Sequence, residues 1–136
     1  MNRGDLKVLS RSRLREARTL LAAHEWSGAY YLAGYSAECA LKACIARGTR
    51  AGTFPDKQLA EKSYSHKLSQ LVDVAGLTLS LNAEMNHSPA FATYWAVVKD
   101  WTETSRYQVI PNTLATDMLR ALTARTGVLH WVRKWW

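Results

Sequence analysis

The residues best suited to chemistry in this sequence are Arg125 and His130, an Arg-x4-His pair close to the end of the chain. Arginine holds a phosphate through two parallel hydrogen bonds, in the ground state and in the pentacoordinate transition state. Histidine takes a proton from a ribose 2′-hydroxyl near neutral pH. Together the two groups can support RNA cleavage without a metal. Five residues turn an ideal helix through about 140°. The pair therefore converges only through long side chains, a local distortion of the helix, or a second copy across a two-fold axis.

Two further polar groups interrupt apolar stretches. Glu38 and Lys42 lie four apart, in the order that favours an ion pair along a helix. Burying them demands that each be paired. Glu38 has two candidate partners, Lys42 and Arg106. Arg106 follows Trp101 and precedes Tyr107. It can cap the last carbonyls of its own helix or reach Glu38. Tyr107, with an apolar ring and a polar tip, suits the closing of a bundle end. Other catalytic patterns are missing: no phosphate-cradling glycine loop, no H-E-x-x-H, no G-x-S-x-G and no Cys/His metal array. No metal or cofactor is expected. Cys39 and Cys44 are too few for a disulfide framework and face apart on a helix, so both read as small core residues in a reduced, cytoplasmic protein.

The elements that must position these groups are helical. Leu6, Leu9, Leu14, Ala17, Leu20 and Leu21 recur at helical spacing from about Asp5 to His24. Arg11, Arg15 and Arg18 make another side of that helix basic. Ser27 offers an N-cap to a second helix, Gly28–Ala46, which is apolar almost all round and should be the most buried. Its row of Ala33, Ala37, Ala40 and Cys44 admits a close neighbour, Gly34 marks tight packing, and Gly48 ends it after Arg47. Residues 47–64 read as a flexible connection. Ser65 caps a short helix over His66–Ala75 that stops at Gly76. Leu77–Leu81 alternates and reads as an extended connector or a lead-in to a helix. Ser88-Pro89 opens a helix with Phe91, Trp95, Val98 and Trp101 on one face, breaking near Arg106. The last helix runs from Leu114 to the end, with Met118, Leu122, Leu129, Val132 and Trp136 on an apolar stripe and Arg125 as its polar intruder. The sum is an all-α bundle of four long helices and one short inserted one.

A length of 136 residues suits one domain. Hydrophobic residues at 48% against 21% charged supply a core and exclude a disordered chain. No run is long enough to span a bilayer and no secretory signal opens the chain, so no membrane role is expected. The net charge is +7, and the segment from Arg120 to Trp136 holds four basic residues and no acidic one. A basic face of this kind favours RNA or an acidic protein.

The run Tyr30–Ala43, containing Ala33-Gly34-Tyr35-Ser36-Ala37-Glu38-Cys39-Ala40-Leu41-Lys42-Ala43, resembles the signature helix of HEPN domains (higher eukaryotes and prokaryotes nucleotide-binding). Arg15-x-x-Arg18, His66-x-Leu68-x-x-Leu71 and Trp101-x4-Arg106-Tyr107 follow in the expected order. The resemblance implies a single domain, an up-and-down bundle of four to five helices, usually a homodimer. It implies a ribonuclease of the toxin or defence type, with Arg125 and His130 at the dimer cleft, beside a nucleotidyltransferase-like partner. Thr126 stands where the family commonly carries Asn, Asp or His. Members without the motif bind RNA or protein only. Three functions follow, the third being nucleotide binding in the bundle groove. The first is an RNA-directed protein, a ribonuclease through Arg125 and His130, with Arg11, Arg15, Arg18, Arg120 and Arg133 steering RNA. The second is a non-catalytic helical module on a protein partner, with Trp131, Trp135 and Trp136 at the seam.

Overall fold

The computed structural model describes residues 1–49 and 56–136, and those residues are helical with no strand. Helix α1 (Arg3–Ala22) starts two residues earlier than its apolar spacing suggests. Asn2 and Asp5 close a capping box there, each side chain bonding the other's backbone N–H. Helix α2 (Trp26–Gly48) follows after a tight turn. In that turn His24 adopts a positive φ of 62° and stacks on Trp26. The two long helices run antiparallel. Leu20 lies against Gly28 at one end of the seam, and Ser10 Oγ donates to the Ser36 carbonyl at 2.8 Å near its middle.

Helix α2 is the buried centre that its composition predicts. Ala33, Ala37, Ala40 and Cys44 are all buried. α1, α4 (Leu68–Val74), α7 (Asn112–Thr123), α8 (Val128–Val132) and the 3₁₀ turn Glu103–Tyr107 pack around it. Gly34 meets the indole of Trp101, which occupies the space where a Cβ would stand. Ser27 does not cap α2. It lies inside the helix, and its Oγ accepts from the Ile110 backbone N–H at 2.9 Å, pinning the chain that enters α7. Gly48 extends the helix by a residue beyond Arg47 rather than ending it.

The second half breaks into shorter pieces than the apolar stripes suggest. Part of the expected connection, residues 57–63, is helix α3 (Lys57–Ser63), capped by Asp56; residues 50–55 lie outside the described residues. The short helix α4 (Leu68–Val74) ends, as expected, at Gly76 with a φ of 74°. Its start is later than Ser65, whose Oγ instead accepts from the Lys67 N–H. Leu77–Leu81 is not extended: α5 covers Thr78–His87. Leu77 and Leu81 are buried one turn apart and Leu79 faces out, so a five-residue alternation also fits a helix. Ser88 and Pro89 open α6 (Pro89–Val98) as their types dictate. α6 stops at Val98, so Trp101 reaches the core from the coil beyond it.

The expected final helix is two helices, α7 (Asn112–Thr123) and α8 (Val128–Val132). The break, as it is built, requires Gly127. A Cβ there would stand 2.7 Å from the Ala121 carbonyl and 2.9 Å from that of Ala124. The apolar residues of the stripe remain buried across the break, but Arg125 drops out of it into the turn and is exposed.

Gly34→Ala should lower stability by about 1–3 kcal/mol, as overpacking of a filled core does. Gly48→Ala, where nothing lies within 4 Å, should be neutral or slightly stabilising. Urea denaturation of both variants checks the contrast, and equal midpoints would remove Trp101 as the reason for Gly34.

Candidate functional site

The break between α7 and α8 brings the Arg-x4-His pair together. Arg125 lies in the turn and His130 on α8, and both line one hollow of about 130 Å³. That is several times the ~30 Å³ share of one liquid water. Local distortion of the helix, one of the routes open to the pair, sets both side chains at this hollow. Arg18 reaches the same hollow from α1 and Arg133 from the end of α8. Leu14, Leu122 and Leu129 give it apolar walls, and no carboxylate lines it. Burial first, then the neighbouring Arg11 and Arg18, push the Arg133 guanidinium below its ordinary pKa. Positive charge is crowded there without a counter-charge, which an anion would supply.

The crowding continues along α1. Lys7, Arg11 and Arg133 all lie over the indole of Trp136, at 5.1, 4.8 and 5.3 Å from its centre. Arg3 donates to the Trp136 carbonyl. The negative face of the ring draws cations that would otherwise separate. Desolvation, then Arg3, Arg11 and Arg47, lower the Lys7 pKa. Arg11, Arg18 and Arg133 thus share one band with Arg125 and His130. Arg15 and Arg120 do not. Arg15 donates to Ser12 and lines a separate hollow with Leu20 and Leu32. Arg120 is exposed on α7 and sits 3.7 Å from Asp117. The tryptophan tail also divides: Trp131 and Trp136 belong to the core, so only Trp135 remains for a surface.

Glu38 is a different kind of site. Its side chain is 3% exposed, deep in the bundle. Oε1 accepts from His66 Nδ1 at 2.7 Å, and Oε2 lies 3.5 Å from Lys42 Nζ. Lys42 is therefore one partner and Arg106 is not. Arg106 is exposed, with its guanidinium 4.8 Å from the ring centre of Tyr107. Tyr107 first, and then Tyr31, raise its pKa. Tyr107 is mostly exposed and closes nothing. Trp101 does that work instead, 1% exposed, stacked near Tyr31 and seated on Gly34. Spacing pointed to His66 as a helix-start residue, and the family resemblance pointed to it as a structural or binding one, without a partner. Its role depends on a contact across 28 positions, which no local pattern shows. The cluster ties the chain entering α4 to α2, and none of its residues lines the arginine hollow.

The cysteines are free and buried, and burial holds both thiols up at about 11, hence protonated at neutral pH. Among the described residues, no three His, Cys, Asp or Glu side chains gather as a metal site would require. No described helix is long and apolar enough to cross a membrane. Searched against family models, curated proteins and solved structures, the chain gives no match.

Two outcomes check this geometry. His66→Ala leaves a buried carboxylate short of a donor and should cost about 1–3 kcal/mol in urea denaturation, whereas Arg106→Ala should leave the midpoint in place. The second concerns pH. Each thiol rises from an ordinary 9 to about 11 on folding. The unfolded chain releases these protons first, so their stabilising effect is full below pH 9 and lost by pH 11. Stability measured across that window should fall, and should fall less in Cys39→Ala and Cys44→Ala than in the parent.

Proposed function

We propose that this chain is an RNA-directed protein of the HEPN type, with the arginine band as its RNA surface and the hollow of Arg125 and His130 as its phosphate site. One observation carries the reading: Arg18, Arg125, His130 and Arg133 converge from α1, a turn and α8 on one hollow that no carboxylate lines. Salt bridges among the described residues take up Arg13, Lys42, His66 and Arg120, and leave these four side chains without an acidic partner.

The chemistry would be transesterification. His130 takes the 2′-hydroxyl proton, and the 2′-oxygen attacks the adjacent phosphorus. Arg125 holds two non-bridging oxygens as negative charge grows on them. The bond to the 5′-oxygen breaks, and that oxygen takes a proton from water while His130 returns its own to solvent. The products are a 2′,3′-cyclic phosphate and a 5′-hydroxyl, with no metal required. Arg18, Arg11 and Arg133 hold neighbouring phosphates. The proposed assembly is a cytoplasmic homodimer with a nucleotidyltransferase-like partner. A second reading, a non-catalytic module on such a partner, is favoured by the exposure of Tyr107 at the end of the 3₁₀ turn and of Val109 just after it.

Cleavage of a labelled single-stranded RNA in EDTA tests the first reading. Arg125→Ala and His130→Ala should each lose about 10²-fold or more. Identical cleavage by all three proteins ends the catalytic assignment. RNA binding without cleavage, with an affinity that falls in Arg18→Ala and a weaker dependence on salt, would support the module.

A further inference from the structure

The cationic band does not stop at Trp136. Beyond it, at the far end of α2, lies a second hollow of about 350 Å³. Arg47 and Lys134 stand at this hollow, and Cys44, Ala75 and Leu77 line it with apolar surface. Trp135 also lines it and is 39% exposed, unlike Trp131 and Trp136 on either side of it in the tail. Lys7 lines neither hollow, but it shares Trp136 with Arg11 and Arg133 and feels the charge of Arg47. Adjacent residues divide between the hollows, Arg133 in the first and Lys134 in the second.

The composition of the second hollow differs from that of the first in a way that selects a ligand. Four cationic or imidazole side chains around one small hollow suit a phosphate. An exposed indole over an apolar floor, with two cations, suits a flat aromatic group attached to an anion. We propose that this second hollow is a nucleobase subsite, in which an unpaired base of a single-stranded RNA stacks on Trp135 while its phosphates follow Arg47, Lys7 and Arg11 toward the Arg125–His130 hollow. Stacking on an aromatic side chain accepts any base, because every base presents a π-face. A duplex keeps its bases inside and cannot use such a slot, so the subsite selects single strands. The cysteine in the floor is a protonated thiol at neutral pH and adds no negative charge.

This subsite rests on the RNA reading above, and the test separates the two. Fluorescence anisotropy would follow binding of labelled oligoadenylate, with inorganic polyphosphate as a competitor that has the charge but no base. Trp135→Ala should weaken oligoadenylate binding about tenfold and leave polyphosphate within about twofold. Trp135→Phe, which keeps a stacking ring in the same fold, should retain most of the affinity. Equal losses for both ligands, or no loss for oligoadenylate, would overturn the subsite while the cationic band stands. Failure of the parent protein to bind either ligand would overturn both the subsite and the RNA reading.

Discussion

Burial of α2 on nearly every side is the constraint from which the rest follows. A helix in that position has no face to leave in water, so each neighbour must approach it closely and each polar group on it must be met. The alanines and Cys44 admit α1, α7 and α8. Gly34 admits a whole indole. Ser36 meets Ser10, and Glu38 meets His66 and Lys42. α4, the 3₁₀ turn, α7 and α8 cover the sides of this helix that α1 leaves open. Gly76 and Gly127 stand at two of the turns the chain takes.

The same wrapping concentrates charge. Covering α2 sets α8 beside α1, and with it Arg133 beside Arg11 and Arg18. The arrangement stabilises these cations only in part, through the face of Trp136. The helix break adds Arg125 and His130 to the crowd. A fold that gathers cations without carboxylates has local free energy to release when an anion binds, which is the physical basis for placing function on this band. The Glu38 cluster is the opposite case. It is internally compensated, one carboxylate between two donors, and acts as a pin between α2 and the chain entering α4.

Much of this was legible from residue types. The all-α class, the buried second helix, its row of small residues, the Ser88-Pro89 start and the Gly76 stop all follow from local rules of periodicity and capping. The Lys42 partner of Glu38 was legible too, because four residues on a helix fix a neighbour. The extended reading of Leu77–Leu81 failed because two buried residues separated by four satisfy a helix as well as a strand. The capping role of Ser27 failed because its hydroxyl was claimed by Ile110, 83 positions away. The division of the arginines, with Arg15 and Arg120 outside the band, could not be read either. It depends on which side of α1 meets α8 and which side of α7 faces water.

By itself, the sequence determined that the chain would be helical and that its second helix would be buried, because apolar periodicity acts over a turn or two. It also named Arg125 and His130 as a pair worth watching. Only the tertiary structure decided whether they meet. On a continuous helix they diverge; the turn before α8, where Gly127 fits closely against the Ala121 and Ala124 carbonyls, sets both at one hollow. Likewise, three tryptophans in the last six residues look alike as letters. Packing against α1 and α6 sent two into the core and left Trp135 at the surface, since helix phase and neighbouring elements, not residue type, set exposure.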